Sequence, residues 1–191
     1  ALECSACLRA LAVTLSKISN DLRWMASGPL SGLAEIELAA LQPGSSIMPG
    51  KVNPVLPESV LMIAAEVMGH DCSVGVAAQS GNFQLNVMLP LIADKLCSAF
   101  ASLTWACDAT AQSVSGFTVN RQRIEASLAS NPILVTALNA RIGYEAAAVI
   151  AKRSYAEQRP VLDVAVEETG MDREELRKLL DAYRLTRGGV P

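Results

Sequence analysis

Aromatic side chains make up only 4% of this 191-residue sequence, and it contains a single histidine, His70. So few rings, against 51% hydrophobic residues overall, leave a core of Ala, Leu, Val, Ile and Met. Sheets favour β-branched and aromatic side chains, so this composition predicts an all-α fold built by helix-on-helix packing. A basic excess is also missing: the formal charge is −3, which gives no reason to expect nucleic acid or an anionic membrane as partner. With one histidine and no Gly-x-Ser-x-Gly elbow, a Ser–His–Asp hydrolase is excluded, and no metal cluster is legible. His70, in Gly69-His70-Asp71 within a helical pattern, reads as a satisfied or surface histidine.

Long charge-free runs are few. The longest, Cys72 to Ala93, contains Gln79, Ser80, Asn82, Gln84 and Asn86 and is broken by Gly81 and Pro90. It is expected to be buried in a soluble protein rather than to span a membrane. Five cysteines, Cys4, Cys7, Cys72, Cys97 and Cys107, fall on helical segments in an odd number. Reduced, packed thiols in a cytoplasmic compartment are the expectation, and Cys4-x-x-Cys7 lacks a second ligand pair. The first residues show no signal-peptide pattern. Ala1-Leu2-Glu3-Cys4 stands already inside an amphipathic pattern with no Met and no cap, as in a chain cut from something longer.

Apolar residues recur at helical spacing from 1 to about 26 (Leu8, Leu11, Leu15, Ile18, Leu22, Met25), with Arg23 off the stripe, until Ser27-Gly28-Pro29 stops the helix. Leu30 to Pro43 reads as loop or a short extended piece. Two long helices follow, Val55 to about Ala78 and about Leu85 to Ser113, the second kinked near its start by Pro90. At 1.5 Å per residue each spans roughly 35–45 Å, more than a compact chain of this length needs. Both are apolar on more than one face, which predicts an oligomeric bundle. After residue 117 the charge density rises, from 14 charged residues in 1–117 to 21 in 118–191. The expected division is therefore 1–117, a helical-bundle portion, and 118–191, a small C-terminal helical domain. Its helices are expected over about 120–129, 143–157, 161–169 and 172–183, the last capped by Asp172. The tail from Arg187 should fray.

Between the first two long helices lies Gly44-Ser45-Ser46-Ile47-Met48-Pro49-Gly50-Lys51-Val52-Asn53-Pro54. It is not a phosphate-binding P-loop: five residues separate Gly44 from Gly50, and Val52 stands where a Mg²⁺-binding hydroxyl belongs. Asn53 can cap the following helix with Pro54 as its first residue. Lys51, the Asn53 amide and the helix N-terminus together suit a carboxylate or oxyanion, and Ser45 or Ser46, among such donors, can serve as a base. The competing interpretation is a capped Gly/Ser-rich turn with a solvated lysine.

These eleven residues resemble the signature of the fumarase/aspartase superfamily. Ser27-Gly28-Pro29 with Gly32-Leu33-Ala34-Glu35-Ile36 supports the likeness, as do Ser80-Gly81-Asn82-Phe83-Gln84-Leu85-Asn86-Val87, Leu134-Val135-Thr136-Ala137-Leu138-Asn139 and Ile142-Gly143-Tyr144. The resemblance covers nearly the whole chain and corresponds to the C-terminal part of the family's fold. Within the superfamily, Pro49-Gly50-Lys51, Gly81-Asn82-Phe83 and Gly143-Tyr144-Glu145 are similar to class II fumarase, whereas Gln84-Leu85-Asn86-Val87-Met88 leans towards aspartase.

The resemblance implies a cofactor-free lyase that reversibly hydrates fumarate to L-malate in the citric acid cycle. It makes Ser45 the general base that removes a proton from malate C3. Ser46, Lys51, Val52 and Asn53 match the substrate-contacting positions, and Glu58 matches the acidic partner of the family's active-site histidine. That histidine and the Thr/Ser/Asn-rich segments for the other end of the substrate precede the matched region. The family's site is assembled from three subunits of a homotetramer around a twenty-helix core, so residues 1–191 alone should be inactive. Aspartate ammonia-lyase is the alternative activity, and a non-catalytic helical oligomerisation fragment the alternative of another class.

Overall fold

The computed structural model describes residues 1–42, 44, 47–48 and 50–187. Three long helices dominate: α1 (Leu2–Met25), α2 (Val55–Ala78) and α3 (Leu89–Gly116). A two-residue strand, β1 (Ile36–Glu37), pairs antiparallel with β2 (Thr118–Val119), matching Ile36 to Val119 and Glu37 to Thr118. Then come α4 (Arg121–Ala129), a 3₁₀ helix (Pro132–Leu138), α5 (Asn139–Ile142), α6 (Tyr144–Glu157), α7 (Val161–Thr169), α8 (Arg173–Leu179) and α9 (Ala182–Leu185). The chain is all-α apart from that short ribbon. It divides into two compact units, Ala1–Asn120 and Arg121–Pro191. β2 belongs with the first unit because it pairs with β1 and because the Asn120 N–H donates to the Glu35 carbonyl at 2.8 Å.

In the first unit the helical stripes meet in one core: Leu8, Ala12 and Leu15 of α1, Val60, Ala64 and Val67 of α2, and Ala99, Leu103 and Ala106 of α3. Ala12 and Ala106 are fully buried. A methyl-sized side chain at such contact points lets the helix axes approach closely, and in a core without aromatic rings that closeness supplies the packing density. A polar tie crosses α1 and α2, where Asp71 accepts from the Ser5 hydroxyl at 2.7 Å and pairs with Arg9 at 3.0 Å. In the second unit Leu138, Ile150, Val161, Val164 and Leu176 are fully buried. Asp172 caps α8 as expected, accepting from the N–H groups of Glu174 and Glu175.

Four expectations are corrected. First, α3 starts at Leu89 rather than Leu85. Asn82 and Leu85 form a bridge instead, and the Asn86 side chain donates to the Ala77 carbonyl at 2.9 Å while accepting from the Met88 N–H at 2.8 Å. Pro90 thereby falls in the first turn of α3, where its missing N–H breaks no hydrogen bond, and it has no helix behind it to kink. Second, the run Cys72–Ala93, which takes in the end of α2, the connection 79–88 and the start of α3, is largely exposed, with Phe83 at 103% and Val87 at 72%, while Val74, Ala77 and Ile92 within it are buried. Third, the expected helix over 172–183 is two, broken at Leu180 and restarted at Asp181, whose carboxylate accepts from the Tyr183 N–H. Fourth, the five cysteines are free thiols, but only Cys4 is half-buried and the other four are exposed.

His70 also differs from a satisfied histidine. Its ring is 14% exposed, Nε2 lies 3.9 Å from Glu66, and Nδ1 is buried with no hydrogen-bond partner. Pro43 and the tail from Gly188 onward lie outside the described residues.

Candidate functional site

The segment 44–54 is closed on itself through Gly44. The Gly44 N–H donates to the Lys51 carbonyl at 2.9 Å, and the Lys51 N–H in turn donates to Met48 at 3.2 Å. A Cβ at position 44 would sit 2.3 Å from the Lys51 carbonyl oxygen, so the closure requires glycine. Gly50, at φ +80°, makes the left-handed turn before Lys51 that an L side chain resists. The cap expectation for Asn53 is corrected here. The Asn53 side-chain amide donates to the Gly44 carbonyl at 2.9 Å, and Pro54, with no side-chain cap, precedes the first residue of α2. Asn53 locks the loop instead of capping the helix, its amide being turned back to the Gly44 carbonyl.

At the other side, α1 ends in a second tied loop. The Ser27 hydroxyl donates to the Trp24 carbonyl at 2.5 Å and accepts from the Leu33 N–H at 3.1 Å. The Ala34 N–H donates to the Ser27 carbonyl at 2.7 Å and the Glu35 N–H to Met25 at 2.9 Å, delivering the chain to β1.

Between the two loops and the start of α2 opens a cleft of about 1180 Å³. The loop contributes Lys51 and Val52, the first turn of α2 contributes Glu58, and the end of α1 contributes Arg23 and Trp24, with Glu37 from β1. The Glu58 N–H donates to the Pro54 carbonyl at 3.0 Å, fixing this carboxylate in the first turn, where the helix dipole favours negative charge. Neither Lys51 nor Glu58 forms an ion pair within 4 Å among the described residues.

Of the six site residues expected from sequence, Lys51, Val52 and Glu58 therefore line one cleft, and Asn53 sits behind them as the loop's lock. Ser45 and Ser46 lie outside the described residues. The sequence reading missed Arg23, Trp24 and Glu37. The available signal was a basic residue off the apolar stripe, one turn before the Ser27-Gly28-Pro29 stop. Leu134, Val135 and Leu138 of the downstream motif are buried in the core of the second unit and serve packing there, and Ala137 is buried beside them in sequence. Among the described residues no group of three or more His, Cys, Asp or Glu side chains is placed to hold a metal ion.

Known proteins share this arrangement of loop and long helices. A family model described as "Lyase" matches residues 1–69, and one described as "Fumarase C C-terminus" matches residues 134–187. The class II fumarate hydratase 2 of Pseudomonas aeruginosa is 57% identical over 191 residues, covering 100% of this chain and 42% of its own length. The class II fumarate hydratase of Xylella fastidiosa strain 9a5c is 59% identical over 189 residues, 98% of this chain and 40% of its own length. Among solved structures, a fumarate lyase:delta crystallin from Brucella melitensis bound to cobalt superposes with a TM-score of 0.88 at 46% identity, covering 95% of this chain and 39% of that one. The chain belongs to the fumarase/aspartase superfamily and carries the C-terminal part of its fold. It spans about two fifths of the length of these relatives.

Proposed function

We propose that the protein is a class II fumarate hydratase-like lyase that reversibly hydrates fumarate to L-malate, and that this chain carries one wall of its active site. The observation that carries the reading is the cleft. A loop closed by Gly44 presents Lys51 and Val52 beside Glu58, in a chain at least 57% identical to two class II fumarate hydratases.

In the dehydration direction Ser45 takes the proton from malate C3, and the electron pair moves onto the adjacent carboxylate as a dianionic aci form. Lys51, a point charge beside the cleft, stabilises that charge more than the ground state, which is how it lowers the barrier. The C2–O bond then breaks, and the hydroxyl leaves as water after gaining a proton. Ser46 and Val52 contact the substrate, Asn53 holds the loop that presents Lys51 to it, and Glu58 orients a histidine supplied from outside residues 1–191. The remaining walls come from other segments and other subunits of a homotetramer. Support for self-association is α2 itself, a long apolar helix whose most apolar stretch is only 28% buried within this chain. By length and composition α2 could also cross a bilayer, but Glu58, Glu66, His70 and Asp71 along it favour other helices as its cover. No cofactor enters this mechanism, and a cytoplasmic location fits the five free thiols.

A second reading, aspartate ammonia-lyase, is favoured by Gln84-Leu85-Asn86-Val87-Met88. Following fumarate absorbance with L-malate and with L-aspartate on the intact protein separates the two. Production of fumarate from malate supports the hydratase. Turnover of aspartate without malate overturns it.

A further inference from the structure

Residues 26–56 contribute most of the cleft lining, yet Ile36 is their only buried side chain among the described residues. A wall with one apolar anchor is held by packing at a single point and elsewhere by backbone hydrogen bonds. Leu38 illustrates how thin the packing is. With Pro54 it lines both the cleft and a separate apolar cavity of about 20 Å³, bounded by Gln112, Ser113 and Gly116 at the end of α3. A side chain against a void lacks the contacts that would fix it on that side.

The bonds that hold this wall come from much later in the chain. Ile36 and Glu37 pair with Val119 and Thr118, and beside them the Asn120 N–H donates to the Glu35 carbonyl at 2.8 Å. Asn120 itself lines the cleft. Neither residue of β2 is buried, and among the described residues none from 114 to 133 is. Backbone bonds to β1 therefore place β2, without help from side-chain packing. A two-stranded ribbon of this size is marginal by itself. Such an element stands close to its opening equilibrium, and a ligand that binds one state better shifts it.

We propose that β2 and Asn120 form a strap that positions residues 36–38 of the cleft wall, and that the cleft takes its substrate with the strap closed. Asn120 is then a positioning residue, acting through β1 by its backbone N–H. By linkage, the ligand closes the strap by the same factor that the strap improves binding. This rests on the reading of the cleft as the substrate site.

The test uses the intact protein with succinate as an unreactive probe, its affinity measured by titration calorimetry and helix content by circular dichroism. Asn120→Pro removes the donor N–H and should weaken succinate about 10-fold, the effect of one lost hydrogen bond. Because Ile36 stands opposite Val119, Ile36→Cys with Val119→Cys places two thiols within disulfide reach. In the Asn120→Pro background the oxidised pair closes the strap that the reduced pair leaves open, with each single cysteine as control for the native thiols. Oxidation should recover most of the lost affinity and reductant should remove it again, a dependence that a general folding defect would not follow. In the wild type, succinate should slow amide exchange several-fold over 35–37 and 118–120. A folded Asn120→Pro protein that binds succinate like the wild type overturns the proposal, and so does a formed disulfide that recovers nothing. If Asn120→Pro does not fold or the disulfide does not form, the exchange decides: protection of the ribbon supports the strap and unchanged exchange overturns it. A wild type that binds no succinate overturns the reading of the cleft and the strap with it. Otherwise the two readings fail separately. Hydration of fumarate with strap-independent affinity removes the strap alone. Strap-dependent succinate binding without turnover of fumarate or malate removes the hydratase and leaves the strap.

Discussion

The Asn53 side chain donates to the carbonyl of Gly44 at 2.9 Å, across nine residues of a loop whose other closing bond runs from the Gly44 N–H to the Lys51 carbonyl. Gly44 thus takes part in both ties that hold Lys51 at the cleft, accepting one at its carbonyl and donating the other from its N–H. Gly44→Ala must push a methyl against backbone at 2.3 Å, which no rotamer change relieves. The variant should keep its helices, by circular dichroism, while activity of the intact protein falls at least about 10-fold, the size of one lost closing hydrogen bond or more. Asn53→Asp places a carboxylate against a carbonyl oxygen and should open the same loop, read as faster protease cleavage between residues 44 and 53. Wild-type cleavage rates in both variants would separate the loop's shape from these bonds.

The second unit predicts a pH dependence. Arg153 donates to Glu157 at 2.7 Å and to Glu168 at 2.7 Å, and it also reaches Glu167, which Arg159 binds as well. Hydrogen bonds from Arg153, with Arg159 adding to them, hold the Glu157 carboxyl below its ordinary value; Arg159 first, then Arg153, does so for Glu167. A carboxyl whose value is depressed in the fold contributes stability that is fully present above its unfolded value, near 4.5, and is lost as pH falls through the folded value. The melting temperature of the second unit should therefore be flat from neutral pH to about 5 and fall below that. Because these groups are exposed, added salt should shrink the effect. In Arg153→Gln the acid-side slope should be shallower; an unchanged slope would show that the network contributes nothing to folding.

Periodicity made most of the helices legible, and the reason is physical: α1, α2 and α3 each bury a stripe, and a stripe is written in the sequence at helical spacing. What stayed illegible depends on single long-range hydrogen bonds. Nothing local distinguishes Asn53 capping α2 from Asn53 reaching back to Gly44, since either use needs the same short amide. The start of α3 was misplaced for the same reason, because Leu85 and Met88 continue the apolar pattern while Asn86 interrupts the backbone. The 3₁₀ segment Pro132–Leu138 escaped because its apolar residues follow core contacts instead of an α-helical stripe. In the cleft, Lys51 is legible through its chemistry and Glu58 through the family resemblance, whereas Arg23 joins the lining only because α1 packs beside the loop.

Asn86 yields a stability prediction of its own. Its amide binds the Ala77 carbonyl near the end of α2 and its oxygen accepts the Met88 N–H that opens α3, so a single side chain satisfies both helix ends. Asn86→Ala leaves the Met88 N–H without its partner and the Ala77 carbonyl with the Ser80 N–H at 3.2 Å, and should cost about 1–2 kcal/mol, a cost of the kind that N-cap losses show. Thermal melting of the variant checks it, with the drop expected in the first unit while the second unit melts as before. Asn86→Asp keeps the acceptor for Met88 but not the donor for Ala77, so it should fall between the two. A wild-type melting curve for Asn86→Ala would mean that water replaces both bonds at no cost.

The outer surface of α2 carries the last prediction. Met62 is 70% exposed and Val76 53%, and on α3 Phe100 is 50% and Trp105 47% exposed. Large apolar side chains spread along two helices would each lose roughly 1.5–3 kcal/mol of burial if left in water, so the bundle gains by packing against further helices. Met62→Glu places a charge where the homotetramer reading puts a helix–helix contact, and an unpaired buried charge there opposes association. Sedimentation of the intact protein should show the wild type as a larger assembly that Met62→Glu shifts towards smaller species. Activity should fall in parallel, since the proposed site draws walls from several subunits. A variant that stays assembled and active would place Met62 on the outside of the oligomer, while a wild type that sediments as a monomer would remove the oligomeric bundle itself.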